Sequence, residues 1–112
     1  MKLSLRRITL FTADLAAMVA FYRDALDLDL VVDEPGWKEF DAGECRIALH
    51  NGKSRVGARA PKLGFYVKDV AKAKAELEAR GVKLGEIKSF EKISFCDGKD
   101  PDGNAFSLTN RR

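Results

Sequence analysis

Apolar and polar residues along the chain follow a pattern that occurs twice, and the two copies are offset by 55 positions. Each copy opens with a short run of β-branched and apolar residues, which is typical of a strand. An aspartate follows, and then apolar residues three or four positions apart, which is typical of an amphipathic helix. Asp14 in the first copy corresponds to Asp69 in the second. This self-similarity indicates a domain made of two similar units.

Each copy predicts the element order β-α-β-β-β. In the first copy, a helix is expected over residues 15–26 after the N-cap Asp14, and strands over residues 5–12, 28–32, 37–41 and 45–50. In the second, a helix is expected over residues 70–80 after Asp69, and strands over residues 63–67, 83–87, 92–95 and 105–109. The sequence therefore predicts one α+β domain over residues 1–112, in which a linker of about residues 52–61 joins module 1 (about 1–51) to module 2 (about 62–112).

Alternation along the predicted strands assigns their residues to two sheet faces. The face packed on the helices is expected to hold Ile8, Leu10, Ile47, Leu49, Leu63, Phe65, Phe106 and Leu108. The opposite face is expected to hold Arg7, Thr9, Phe11, Arg46, Ala48, His50, Lys62, Gly64, Tyr66, Ala105, Ser107 and Thr109. Because this second face is mixed and polar, a functional site is expected there.

Composition excludes several classes of function. The net charge of +3 is small and scattered, which argues against a nucleic-acid partner. No apolar stretch approaches the roughly 20 residues that cross a bilayer, and nothing resembles a signal peptide. A cytoplasmic location without a membrane partner is therefore expected, with Cys45 and Cys96 as free thiols.

Three sequence features carry a resemblance to a known family. The first helix has Asp14-Leu15 followed by Phe21-Tyr22-Arg23 and Leu26; the second copy has Lys68-Asp69-Val70; and the turn before the last strand reads Asp100-Pro101-Asp102-Gly103-Asn104. Together they resemble the vicinal oxygen chelate superfamily of glyoxalase I, bleomycin resistance proteins and dioxygenases. The resemblance implies two tandem βαβββ modules forming a curved eight-stranded mixed sheet, with one helix per module on its convex face. It also implies a homodimer, but it does not choose among the activities of the superfamily.

Metal-dependent members of this superfamily place His or Glu ligands on the concave sheet face. By resemblance, the four ligand positions fall on Arg7, Ala48, Lys62 and Ser107. Two of these residues are cations, which would repel a divalent ion, and an arginine has no lone pair to donate. The resemblance therefore implies a chain without the usual metal site, and no cofactor is expected.

His50, the only histidine, leaves two interpretations open. It could form a shifted metal site with Glu39 or Asp41 from the neighbouring strand. Alternatively, it is a residue at a strand end that hydrogen-bonds to water or to a nearby carboxylate.

Cations, hydroxyl groups and aromatic rings remain on the polar face. The candidate ligand-binding residues are Arg7, Thr9, Trp37, Arg46, His50, Lys62, Tyr66 and Ser107. This set suits a flat or anionic organic ligand, because guanidinium groups bind acids and aromatic rings stack. The other interpretation is that the cations only pair with Glu39, Asp41 or Glu44 and fill the cleft.

The leading hypothesis is a metal-free small-molecule binding protein of the glyoxalase/bleomycin resistance type that holds an anionic or aromatic ligand. The alternative is an enzyme of lyase, isomerase or dioxygenase type. Such an enzyme would use a displaced metal, or Tyr66 or His50 as general acid or base. A third hypothesis is a regulatory module that has lost catalysis.

Overall fold

The structure, a computed structural model, describes residues 1–112 and divides into two compact units, Met1–Arg55 and Val56–Arg112. Each unit has the element order β-α-β-β-β. We call the two units module 1 and module 2.

Module 1 forms a four-stranded sheet with the strand order β1-β4-β3-β2. Its strands are β1 Arg7–Thr12, β2 Asp29–Glu34, β3 Trp37–Asp41 and β4 Arg46–Asn51. Strand β1 is parallel to β4, and the other pairs are antiparallel.

The helical segment of module 1 begins where the sequence predicts it. The Asp14 carboxylate accepts a hydrogen bond from the Ala17 backbone N–H at 3.0 Å and caps helix α1, Leu15–Val19. The segment then continues as a π-helix, Ala20–Ala25, in which the wider turn is closed by the bond from Leu26 N–H to the Phe21 carbonyl. The predicted extent of this helix is therefore nearly right, but half of the segment is not an α-helix.

Module 2 repeats this topology with the strand order β5-β8-β7-β6. Its elements are β5 Leu63–Tyr66, α2 Val70–Ala79, β6 Lys88–Phe90, β7 Ile93–Lys99 and β8 Ala105–Thr109. The α+β fold of two βαβββ modules is confirmed. Hydrogen bonding groups the eight strands into two sheets of four, where the resemblance implied one sheet of eight.

The strand predicted over residues 83–87 is wrong, because the second strand of module 2 is Lys88–Phe90. In the predicted segment, Leu84 makes only an isolated bridge to Gly98. Val82, just before the segment, is buried, and a Cβ atom on Gly98 would meet the Leu84 side chain, so Leu84 packs against β7 while Ile87 remains exposed.

Aromatic side chains form the centre of each module. In module 1, Tyr22 and Phe40 are fully buried, and their ring centroids are 5.9 Å apart. In module 2, the buried ring of Phe106 contacts Phe65 at 6.0 Å. Ile47, Leu49 and Leu108 are also buried, as the alternation predicts. None of the helices has the length and apolar content needed to cross a membrane.

Replacing the cap of helix α2 is expected to destabilise module 2. The Asp69 carboxylate accepts a hydrogen bond from the Lys72 backbone N–H at 3.0 Å. Asp69→Ala should lower the free energy of unfolding by about 1 kcal/mol, whereas Asp69→Asn, which keeps an acceptor oxygen, should change it little. Urea denaturation of the two variants measures this difference. Equal losses in both would show that the cap bond contributes nothing.

Candidate functional site

The register of three neighbouring strands arranges the polar-face residues of module 1 in rows. Reading across β1, β4 and β3, the rows are Arg7–Arg46–Asp41, Thr9–Ala48–Glu39 and Phe11–His50–Trp37. We call these nine residues the module 1 site face. One end of this face carries charged groups, and the other end carries three rings.

The ring of His50 lies between the rings of Phe11 and Trp37 in the register and contacts both of them. The centroid of the His50 ring is 5.4 Å from that of Phe11 and 5.5 Å from that of Trp37. Phe11 is 50% exposed, His50 is exposed and Trp37 is half-buried. This aromatic row offers a planar ligand both ring faces and ring edges, the contacts that aromatic groups prefer.

A backbone carbonyl fixes the hydrogen-bonding role of His50. Its Nδ1 atom lies 2.8 Å from the Asn51 carbonyl oxygen. Because a carbonyl oxygen can only accept, Nδ1 carries the hydrogen, and in the neutral ring the lone pair is on Nε2. The partner of His50 is thus a carbonyl oxygen, where the sequence suggested water or a carboxylate.

The shifted metal site suggested for His50 is not assembled. Trp37 is the cross-strand partner of His50. Asp41 lies four residues further along β3, a separation from Trp37 of about 13 Å. Glu39 is nearer, but other groups bind both of its carboxylate oxygens.

Glu39 is the most buried charged group of the site face, with a side chain only 7% exposed. One oxygen accepts a hydrogen bond from Trp37 Nε1 at 2.8 Å. The other lies 3.1 Å from Arg46 Nη1 and 3.2 Å from Arg7 Nε. The hydrogen bond from Trp37 lowers the pKa of Glu39 most, and the two arginines lower it further against the opposing effect of burial.

The cations expected on the polar face of module 1 therefore pair with the Glu39 carboxylate. Pairing with a nearby carboxylate was the second interpretation of the sequence. Two guanidinium groups share one carboxylate, yet the side chains of Arg7 and Arg46 are still 42% and 47% exposed. Both retain N–H groups that can bind a ligand. Beside them is a cavity of about 330 Å³, lined by Arg6, Arg7, Val31, Asp41, Gly43, Glu44, Cys45 and Arg46.

Module 2 contains an equivalent ion pair. Asp97 lies opposite Ser107, as Glu39 lies opposite Ala48, and it binds Lys62 at 3.0 Å. The cation at or just before the start of the first strand of each module thus pairs with a carboxylate of the third strand. Tyr66 lies opposite Thr109 on the same face and is 48% exposed.

The residues at the family's ligand positions do not fit a metal ion. Module 1 offers Arg7 and the methyl group of Ala48, and module 2 offers Lys62 and the weak hydroxyl donor of Ser107. Both cations already have a carboxylate partner. The structure forms no group of three or more His, Cys, Asp or Glu side chains that could hold a metal.

The cysteines do not form a reactive centre either. Cys96 is buried, and burial raises the pKa of its thiol. Cys45 is half-buried and immediately precedes β4, whereas His50, the only histidine, lies five residues away near the other end of that strand.

The structure places five of the eight candidate residues (Arg7, Thr9, Trp37, Arg46 and His50) on the module 1 site face, and the other three (Lys62, Tyr66 and Ser107) on the corresponding face of module 2. Phe11 was expected on this face but not among the candidate ligand-binding residues. Only the strand register, which pairs Phe11 with His50, reveals its contribution. The hydrogen bond from Trp37 to Glu39 was not expected from the sequence either.

Comparisons with known proteins agree with this fold. A model of the glyoxalase/bleomycin resistance protein/dioxygenase superfamily matches residues 4–108, so the chain belongs to that superfamily. Among curated protein sequences, none matches this chain.

Solved structures with the same fold have low sequence identity. An antibiotic-binding protein from Streptomyces sp. CB03234 has a TM-score of 0.82 and 23% identity, with 96% of each chain covered. A lactoylglutathione lyase from Agrobacterium tumefaciens has a TM-score of 0.77 and 23% identity, covering 95% of this chain and 92% of the lyase. A superfamily member from Nocardioides has a TM-score of 0.84 and 18% identity, covering 97% and 83% respectively.

Proposed function

We propose that this chain is a small-molecule binding protein that holds a flat aromatic ligand on the module 1 site face without catalysing a reaction. The ligand lies against Phe11, His50 and Trp37 and directs an acidic or other acceptor group towards Arg7 and Arg46. One observation carries the proposal: a row of three contacting rings on the same face as two half-exposed guanidinium groups.

The arginines and Trp37 of the module 1 site face are held in place before a ligand binds. Glu39 fixes Trp37, Arg7 and Arg46 at once, so these groups lose little conformational freedom on binding. Because Glu39 already offsets part of the positive charge, and Asp41 and Glu44 line the adjacent cavity, a negative charge on the ligand contributes modestly. Aromatic contact therefore supplies most of the affinity, and the Thr9 hydroxyl between the two rows adds polar contact.

Two considerations favour binding over catalysis. No residue set for metal or nucleophilic chemistry is assembled on the site face. One of the structural relatives is described as antibiotic-binding, so the fold is compatible with holding a small molecule.

Binding of 2-naphthoic acid tests the proposal. Trp37 is the only tryptophan, so its fluorescence reports on the module 1 site face. We expect a saturable change in this fluorescence, and an affinity weakened about ten-fold by Phe11→Ser, which removes one ring of the row. Arg46→Gln should weaken binding of the acid but leave neutral 2-naphthalenemethanol unaffected.

Ile87→Ser is the matched control, since it also removes an exposed apolar side chain but lies outside the site face. It should bind naphthoic acid like the wild type. If Phe11→Ser also binds like the wild type, the aromatic row is not the ligand site.

A metal-independent acid–base enzyme is the second candidate, favoured by the lone pair that the Asn51 contact leaves on His50 Nε2. An isomerase or lyase of this kind would lose turnover in His50→Gln while its ligand affinity changed little. A protein that only binds its ligand would show no turnover in the wild type or in His50→Gln.

A further inference from the structure

Module 2 has a cavity of its own, about 490 Å³ in volume. Its lining includes Phe90, Ile93, Phe95, Thr109, Arg111 and Arg112. The strand register places Phe90 opposite Ile93 and Phe95 opposite Thr109. The volume lies within the range of about 300–1,000 Å³ that small-molecule sites occupy.

The walls of this cavity are aromatic and accessible. Phe90 is 73% exposed, an unusual degree for a large apolar side chain in a strand. Tyr66, opposite Thr109 on the same sheet, lies under the guanidinium group of Arg112, whose Cζ atom is 5.2 Å from the ring centroid. This cation–π contact holds a positive group near the apolar surface.

The two arginines that line this cavity differ from the other cations described above. Arg7, Arg46 and Lys62 each bind a carboxylate, whereas neither Arg111 nor Arg112 forms an ion pair. None of the residues that line the cavity is acidic. An apolar surface next to guanidinium groups that have no carboxylate partner attracts a molecule that is both apolar and negatively charged.

We infer that module 2 contains a second binding site, which selects an organic anion with a flat apolar body, such as an aryl carboxylate or aryl sulfonate. The rings of Phe90 and Phe95 contact the flat body, and Arg111 and Arg112 bind the acidic group. The inference uses no residue of the module 1 site face and does not depend on the function proposed for it. The two sites differ in selectivity. The module 1 site selects mainly for an aromatic ring in the ligand, whereas the module 2 site requires a negative charge on the ligand.

The test compares 2-naphthalenesulfonate with neutral 2-naphthalenemethanol in the ¹⁵N-labelled protein by NMR. We expect the sulfonate to shift the backbone amide signals of residues 90–95 and Thr109 saturably, with at least about ten-fold higher affinity than the alcohol. The double variant Arg111→Gln/Arg112→Gln should lose this preference while its affinity for the alcohol stays unchanged.

Arg55→Gln/Arg59→Gln is the matched control, because it removes the same net charge from exposed positions outside the cavity. It should retain the preference for the sulfonate. Equal binding of sulfonate and alcohol by the wild type, or equal losses in both double variants, would overturn the inference.

Phe90→Ser separates this site from the one in module 1. It should weaken the signal changes at residues 90–95 but leave the Trp37 fluorescence response intact. If the sulfonate shifts only signals of Phe11, His50 and Trp37, the module 2 site does not exist, although the function proposed for module 1 survives.

Discussion

Replacing Glu39 with alanine is expected to lower the free energy of unfolding by about 2–3 kcal/mol, because hydrogen bonds that involve a charged group are among the stronger ones. The substitution removes the acceptor for Trp37 Nε1 and the shared partner of Arg7 and Arg46. The two guanidinium groups are half-exposed and recover hydrogen bonds to water, which keeps the loss below the sum of three bonds. Urea denaturation at pH 7 measures it.

The same carboxylate makes stability depend on pH in a defined direction. The pKa of Glu39 in the folded protein is lowered from its ordinary value of 4.5. Its stabilising contribution is therefore fully present above pH 4.5 and is lost as the pH falls through the lower, folded-state pKa. The difference in stability between the wild type and Glu39→Gln should shrink as the solution is acidified through this range.

Glu39→Gln is the informative comparison because it keeps the shape of the side chain and one carbonyl acceptor. It should lose less stability at pH 7 than Glu39→Ala does. A stability difference between the wild type and Glu39→Gln that stays constant on acidification would mean that the carboxylate charge is not what holds the cluster together.

Gly98→Ala is expected to destabilise module 2 by about 1–3 kcal/mol, the usual effect of forcing an extra methyl group into a packed core. A Cβ atom at this position would lie 2.7 Å from Cζ of Phe106 and 2.8 Å from Cδ2 of Leu84. Leu84 is half-buried and can move, but the ring of Phe106 is fully buried. Strand β7 would therefore have to shift away from its partner.

Gly64→Ala is the control for this prediction. Gly64 is also a strand residue, but the nearest atom to its Cβ position is Ser107 Oγ at 3.9 Å, an ordinary contact. The methyl group fits there, so thermal unfolding should show little or no loss for Gly64→Ala and a clear loss for Gly98→Ala. Equal effects at both positions would point to strand propensity as the cause and contradict the packing explanation.

Local signals in the sequence were sufficient to predict most of the fold. Asp14 and Asp69 are both N-caps, because a short carboxylate before an apolar stripe satisfies the first backbone N–H groups of a helix. The turn that begins at Asp100 also forms, with Gly103 at a φ of 90°. The strand in residues 88–90 escaped prediction because its three residues are all exposed and show no apolar alternation.

The site was predictable only in outline. Alternation placed Arg7, Arg46 and His50 on one face because successive side chains in a strand point to opposite faces of the sheet. Their partners depend on register and on side-chain rotamers, which bring Glu39 beneath both arginines and leave His50 against a carbonyl. Arg112 follows the last strand, where no periodic signal exists to indicate that it contacts Tyr66.

The indole N–H signal of Trp37 in a two-dimensional ¹H–¹⁵N NMR spectrum tests the proposed binding function most directly. The protein has one tryptophan, so this signal is unique, and its hydrogen bond to Glu39 places it on the module 1 site face. Titration with 2-naphthoic acid should move the signal saturably in the wild type and require about ten-fold more ligand in Phe11→Ser. An indole signal that stays fixed while naphthoic acid is raised to millimolar concentration would contradict the proposal.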